Sequence, residues 1–326
     1  MIITRTPLRI SIAGGGTDLP SYYEQHGGFV LSAAISKYIF ITVNRTFTPD
    51  YFLKYSALER VDRPTDIEHP IVREVLVAHD IGPAVEIVSM ADIPAGTGLG
   101  SSGAFTVGLL RAVYAMQRNH IAAADLADEA CAVEIEKLRR PVGKQDQYVA
   151  AFGGVRCYEF RQDGSVVVSP LDISTATLHD LEEHLLMFFT GYSRGADTVL
   201  QEQKDRSEGG DAAMIDNLHF VKELGLRSKA ALEAGATEEF AALMHEHWQH
   251  KKKRSAAMSN GSIDRWYDVG RGSGAIGGKL VGAGAGGFLL FYTREPMALR
   301  KVMAAEGLVE VRFTFDHDGS TLLVRD

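Results

Sequence analysis

Two cysteines in 326 residues, Cys131 and Cys157, are too few for a disulfide framework or a cysteine-rich zinc site. That scarcity points to a reducing, cytoplasmic compartment. No run approaches the ~18–20 uninterrupted apolar residues of a membrane-spanning helix. The opening residues Met1 to Pro7 lack a basic segment followed by an apolar one, so no secretory signal is expected. Positive charge is short as well: 34 Lys and Arg against 42 Asp and Glu leave a net charge of −8. Nucleic-acid and anionic-membrane binders normally show a net basic face, so neither partner is expected. One small basic pocket for a phosphorylated ligand stays open. No Pro- or Ser-rich linker and no internal repeat divides the chain, although its length suggests roughly two domains.

Glycine is in excess: 33 residues against a usual share of ~7%. It is concentrated in three clusters. The first is Gly14-Gly15-Gly16, followed by Thr17-Asp18. The second is Gly96-Thr97-Gly98-Leu99-Gly100-Ser101-Ser102-Gly103. The third includes Gly274, Gly277 and Gly278, then Gly282-Ala283-Gly284-Ala285-Gly286-Gly287. Clusters this dense let backbone approach a ligand or another backbone closely.

Residue patterning places strands at 9–13, 38–43 and 85–90, and helices from Ala104 to about Arg118 and from Ala122 to Leu138. Strand character returns at 152–160, 166–168 and 185–190. A mostly helical stretch runs from Ala196 to about Gly277, with starts at Asp211 and Thr237. Closing strands are expected at 288–292, 308–315 and 322–324. This is an α+β pattern of two packed lobes, not a regular βαβ alternation.

Gly98 to Gly103 satisfies GxGxxG, the dinucleotide fingerprint. That reading requires a strand running straight into the glycines, a helix, then a second parallel strand. Here Asp92-Ile93-Pro94-Ala95 intervenes, and a second helix follows the first. A GxxxxGK[ST] loop is absent too, because neither Gly143-Lys144-Gln145 nor Gly278-Lys279-Leu280 has the closing Ser or Thr. What remains is a glycine- and serine-rich loop opening a long helix, whose free N–H groups and positive dipole end suit phosphates. Ser101 and Ser102 add hydroxyls, or serve only as helix caps.

The stretch Pro94 to Gly103 resembles the central motif of the GHMP kinases, the family of galactokinase, homoserine kinase, mevalonate kinase and phosphomevalonate kinase. Lys279-Leu280-Val281-Gly282-Ala283-Gly284-Ala285-Gly286-Gly287 is similar to their C-terminal motif, and Arg9 to Asp18 to their first. Gly103 and Ala285 depart from the pattern, each small for small. Within the family the sugar kinases match best. Arg5 to Pro20, Val142 to Tyr148, Gly191-Tyr192-Ser193-Arg194 and Gly274 to Lys279 resemble the D-glycero-D-manno-heptose 7-phosphate kinases. The resemblance implies a two-lobed fold: a ribosomal-S5-like nucleotide-binding lobe over residues 1–180 and a ferredoxin-like lobe over 181–326. It implies ATP and Mg2+, and transfer to the anomeric C1 hydroxyl of a sugar phosphate.

It also implies roles. Pro94, Gly96, Gly98, Leu99, Gly100, Ser101, Ser102 and Gly103 would hold the nucleotide, and Ser102 and Glu134 the metal. Glu136 is the rival to Glu134, but two residues along a helix it faces elsewhere. Asp146 is the expected base, or at least orients the hydroxyl, with Arg9 beside it and the transferring phosphate. Gly16, Thr17 and Asp18 would meet the sugar, with Gly284 closing the site. Lys144, Arg194 and the Lys251-Lys252-Lys253-Arg254 run are candidates for the substrate's own phosphate, with Lys252 and Arg194 the first to substitute. His245, His247 and His250 form no HExxH motif, since Gln249 stands four after His245, and read as structural or exposed. A kinase for another sugar (galactose-, fucose- or mannose-like) or a mevalonate-type alcohol stays open, as does a non-catalytic sugar sensor.

Overall fold

The structure, a computed structural model, describes residues 1–191 and 196–325. In the first half, the elements are β1 (Ile2–Ala13), α1 (Pro20–His26), β2 (Gly28–Arg45), β3 (Tyr51–Lys54), β4 (Leu58–Val61), α2 (Pro70–Ala78), β5 (Val85–Ala91) and α3 (Ser101–Met116). Next come α4 (Ala123–Cys131), α5 (Gln145–Phe152), β6 (Val155–Phe160), β7 (Val166–Pro170) and α6 (Thr175–His184). The second half contains β8 (Leu185–Gly191), α7 (Ala196–Glu208), α8 (Ala212–Glu233), α9 (Thr237–Lys251), α10 (Gly261–Gly272) and β9 (Ala275–Val281). It closes with β10 (Gly287–Thr293), α11 (Pro296–Ala305), β11 (Val309–Glu310) and β12 (Thr321–Arg325).

The long strand β2 organises the first sheet. It pairs antiparallel with β1 along its length, with β6 through Gly28 to Ala33, and with β5 through Ile39 to Arg45. The sheet has eight strands, and β12 returns from the far end of the chain to pair with β1. The expected boundary at 181 therefore falls just before β8, while the last residues belong to the first sheet. The second sheet runs β11-β8-β10-β9, all antiparallel.

The continuous apolar run Leu185-Leu186-Met187-Phe188 is explained by burial on both faces. Leu185 and Met187 join the core shared with the first sheet, whereas Leu186 and Phe188 join a second core with Trp248, Tyr267 and Phe291. Helix α3 is buried almost all round, and the Gly108 carbonyl accepts from Thr4 Oγ1 at 3.0 Å. That contact fixes the middle of α3 against β1.

Three expectations change. The segment 145–152, read as loop running into strand, is the helix α5. The second helix ends at Cys131 and continues as a π-helical turn over Ala132–Lys137. Residues 275–281, assigned partly to helix, form the strand β9. Glycine there answers to packing, because a Cβ on Gly277 would stand 1.7 Å from the Ala241 carbonyl of α9. Gly277→Ala should therefore destabilise the protein by about 3 kcal/mol, read as a lower urea midpoint. An unchanged midpoint would mean that α9 does not rest on this strand.

Candidate active site

The loop before α3 turns on glycines with left-handed backbone. Gly98 has φ 80°, and Gly100, with φ 74°, is the residue immediately before the helix. Ser101 and Ser102 therefore stand inside the first turn and do not cap it. The first N–H groups of a helix have no partner within it, which leaves those of this turn for an anion. The third glycine cluster lies against this loop: a Cβ on Gly282, itself at φ 82°, would come 2.5 Å from Gly98 Cα. Only two glycines allow the backbones to pass so closely.

Arg9 on β1 holds the loop from the other side. Its Nη1 donates to the Gly98 carbonyl at 2.6 Å, and its Nε to Asp146 Oδ1 at 2.7 Å. Asp146 sits in the first turn of α5, and Gly103 packs on it with no room for a Cβ. Ser102 Oγ donates to Glu134 Oε2, Gln147 Nε2 donates to Oε1 at 2.8 Å, and Arg140 Nη1 donates to both Ser102 Oγ and Oε2. Burial pushes the Glu134 carboxyl up, opposed by the Ser102 hydrogen bond and the Arg140 charge. Glu136 is exposed, which separates the two rivals.

Asp18 accepts from Gly16 N at 3.0 Å and Gln145 N at 3.3 Å. Burial, with help from the Asp146 charge, raises its pKa. Thr17 is placed otherwise than expected for a sugar contact: its hydroxyl is taken up by the backbone of Gly14 and Phe29.

Arg9, Asp18, Ser102, Arg140 and Asp146 line one cleft, with Glu134 buried behind Ser102, and Gln203, His247, Lys251, Arg254, Lys279 and Gly282 close it from the second half. A second, more apolar cleft adjoins it and shares Gly96, Ser101, Ser102 and Arg140, with Pro94, Tyr55 and Phe105 among its walls. Leu99 is fully buried beneath the loop. Gly284 packs on Met258 next to the cleft-lining Ala283.

Only part of the expected set of phosphate ligands gathers here. Lys144 Nζ donates to the Gly164 carbonyl at 2.6 Å and lies near the Tyr23 ring. Lys252 pairs with Asp264 at 3.3 Å across the Trp248 ring. Both have been drawn away by local partners, and Arg194 lies outside the described residues. Of the 251–254 run, Lys251 and Arg254 line the cleft, joined by Lys279, and all three are buried. Helix α9 ends at Lys251, so Arg254 lies just beyond it, and nothing in the sequence set Lys279 apart as a phosphate ligand.

Of the histidines, His245 bonds Tyr267, His250 stacks on Phe220, and only His247 reaches the cleft. Among the described residues no group of three or more His, Cys, Asp or Glu could hold a metal ion. A Mg2+ ion needs fewer protein ligands than that, keeping water and phosphate oxygens instead. Ser102 and Glu134 offer two hard oxygens in contact, and the Arg140 guanidinium already takes a cation's place beside them, so the pair fits that ion.

Phosphates have a lined groove along 96–103, and a carboxylate faces them from α5 with an arginine between. That juxtaposition is what moving a phosphoryl group onto a hydroxyl requires, and it defines a phosphotransferase. Comparison with known proteins agrees. Residues 69–154 match the GHMP kinases N terminal domain and residues 228–306 the GHMP kinases C terminal domain. The chain is 31% identical to a D-glycero-alpha-D-manno-heptose 7-phosphate kinase of Campylobacter jejuni, over 98% of this chain and 97% of that protein. It is 27% identical to the crystal structure of a D-glycero-D-manno-heptose 1-phosphate kinase from Bacteroides thetaiotaomicron, with TM-score 0.80 and 99% of each chain covered. A Lactococcus lactis galactokinase complexed with galactose shares the fold at TM-score 0.77 and 16% identity, over 98% of this chain and 94% of that one. The chain belongs to the GHMP kinase family and is an ATP-dependent kinase.

The buried lysines make stability depend on pH. Burial, with neighbouring cations, brings Lys251 from 10.5 to about 7 and Lys279 well below its ordinary value. Between those values and 10.5 the unfolded chain binds more protons, so stability rises with pH. From about pH 7.5 to about 9.5, Lys251 should raise the unfolding free energy in the absence of ligand by up to ~1.4 kcal/mol per pH unit. Urea titrations should show this rise and its flattening in Lys251→Met. A flat wild-type profile would contradict the placement.

Proposed function

We propose that the protein transfers the γ-phosphoryl group of ATP to the anomeric C1 hydroxyl of D-glycero-D-manno-heptose 7-phosphate, giving the 1,7-bisphosphate. The observation that carries this reading is the chain of contacts from the phosphate loop through Arg9 to Asp146. A carboxylate and a guanidinium bonded to each other beside the phosphate loop support transfer at that point.

The nucleotide phosphates lie along Gly96, Gly98, Gly100, Ser101, Ser102 and Gly103, and the base enters the apolar cleft walled by Pro94, Tyr55 and Phe105. Ser102 and Glu134 would hold Mg2+, which when bound supplies neutralising charge to the nucleotide's phosphates. Asp146 accepts the C1 proton as the new O–P bond forms and the bond to the ADP oxygen breaks. Arg9 stabilises the charge that builds on the transferring group. Asp18 and Gly16 take the sugar's hydroxyls, with Gly284 supporting the wall opposite.

The two heptose kinases in the comparison carry the substrate phosphate at different ends in their names. Transfer to C1 needs that hydroxyl free, which favours the 7-phosphate. We assign nucleotide and sugar binding to residues 1–180, and closure of the cleft to 181–326. Both cysteines are free and buried, which suits a cytoplasmic setting. No helix among the described residues is long and apolar enough to cross a membrane.

A panel of heptose 7-phosphate, unphosphorylated heptose, galactose, fucose and mannose, read by ADP release, tests the reading. The 7-phosphate should give the highest kcat/KM, and preference for an unphosphorylated sugar would overturn the substrate. Asp146→Asn should lower kcat by roughly 10²-fold or more with little change in either KM. Near-normal turnover would remove Asp146 from the reaction.

A further inference from the structure

The cleft holds cations that the transfer step leaves unassigned. Lys251, Arg254 and Lys279 are each no more than 6% exposed, yet among the described residues none has a carboxylate oxygen within ion-pair distance. Their partners are neutral. Lys251 Nζ donates to the carbonyls of Leu280 and Gly282, and Lys279 Nζ to that of Ile12 at 3.2 Å. Arg254 donates from Nε to Asn217 Oδ1 and from Nη1 to the Gly15 carbonyl, both at 2.9 Å. Its Nη2 is buried without a partner, as are His247 Nε2 and Ser11 Oγ, which line the same cleft. A buried charge lacking a counter-ion is costly. Three together, beside unused polar atoms, form a preorganised anion site.

The contacts order the cleft. Asp146 stands by the phosphate loop. Asp18 comes next, joined to it through Gln145, which reaches Asp146 with its side chain and Asp18 with its backbone N–H. Arg254 stands at Gly15 and Gly16, the backbone that leads into Asp18. Lys251 leans the other way, toward Gly282, whose backbone touches Gly98.

We propose that Arg254 and Lys279, with the Ser11 hydroxyl, bind the phosphate that the sugar already carries when it enters the cleft. The inference rests on the sugar-kinase reading above and names the part of the site that selects a phosphorylated sugar. A phosphomonoester dianion supplies the missing counter-charge, and the planar guanidinium offers it the unused Nη2. Binding at this end places the far end of the sugar at Asp146. Burial lowers Arg254 to about 10 and Lys279 well below its usual value, as expected for cations awaiting an anion.

The test is the ratio of kcat/KM for heptose 7-phosphate to that for unphosphorylated heptose. Arg254→Met and Lys279→Met should each lower the ratio roughly 10- to 100-fold. An unchanged ratio overturns the proposal, whatever the overall activity. If the wild type turns over neither sugar, the substrate reading fails and inorganic phosphate becomes the probe. Phosphate should then raise the melting temperature of the wild type and not of Arg254→Met, with circular dichroism confirming that the variant is folded. Equal shifts in both would overturn the anion site itself.

Discussion

The guanidinium of Arg9 is the fixed point of the cleft. It leaves water at a cost that only well-placed acceptors offset, and it finds two: the Gly98 carbonyl and Asp146 Oδ1. The backbone N–H of Arg9 donates to the Leu99 carbonyl at 3.0 Å. One residue of the first strand thereby ties together the phosphate loop and the start of α5. A single displaced carbonyl would leave a buried charge short of partners, so the geometry is enforced by penalty as much as by attraction.

The glycine surplus serves a related purpose. The second cluster gives a helix start open to anions, and the third brings the strand pair β9 and β10 within backbone contact of it. Gly98 and Gly282 are needed by each other before either is needed by a ligand. The clusters are the places where the second half of the chain can touch the first without side chains intervening.

Net charge describes the whole surface and says little about one cleft. A chain of net charge −8 still buries Arg9, Lys251, Arg254 and Lys279 around one space. Three of these lack a carboxylate partner among the described residues. Local accumulation of uncompensated charge is tolerable because helices and strands elsewhere provide the stability, and it becomes favourable when an anion enters.

Local pattern was enough to read much of this. Apolar alternation marked β5, the unbroken apolar run marked β8, and the glycine–serine loop before an apolar helix marked the phosphate site. Ser102, Glu134, Arg9 and Asp146 lay within recognisable motifs, and they come together in the fold. The helix α5 was missed because Lys144 at its N-cap supplies no side-chain cap, and β9 because its glycines answer to the helix and strand packed on them. The basic residues could not be sorted from sequence at all. Lys144 and Lys252 carry the same charge as Lys251 and Lys279, and chemistry alone does not separate them. Their ends do: Lys144 meets the Gly164 carbonyl and Lys252 meets Asp264, whereas Lys251 and Lys279 are enclosed with only carbonyl and imidazole partners among the described residues. Sequence settles which groups a chain owns. Burial and partners, set by packing between segments far apart in the chain, decide which of them face a ligand.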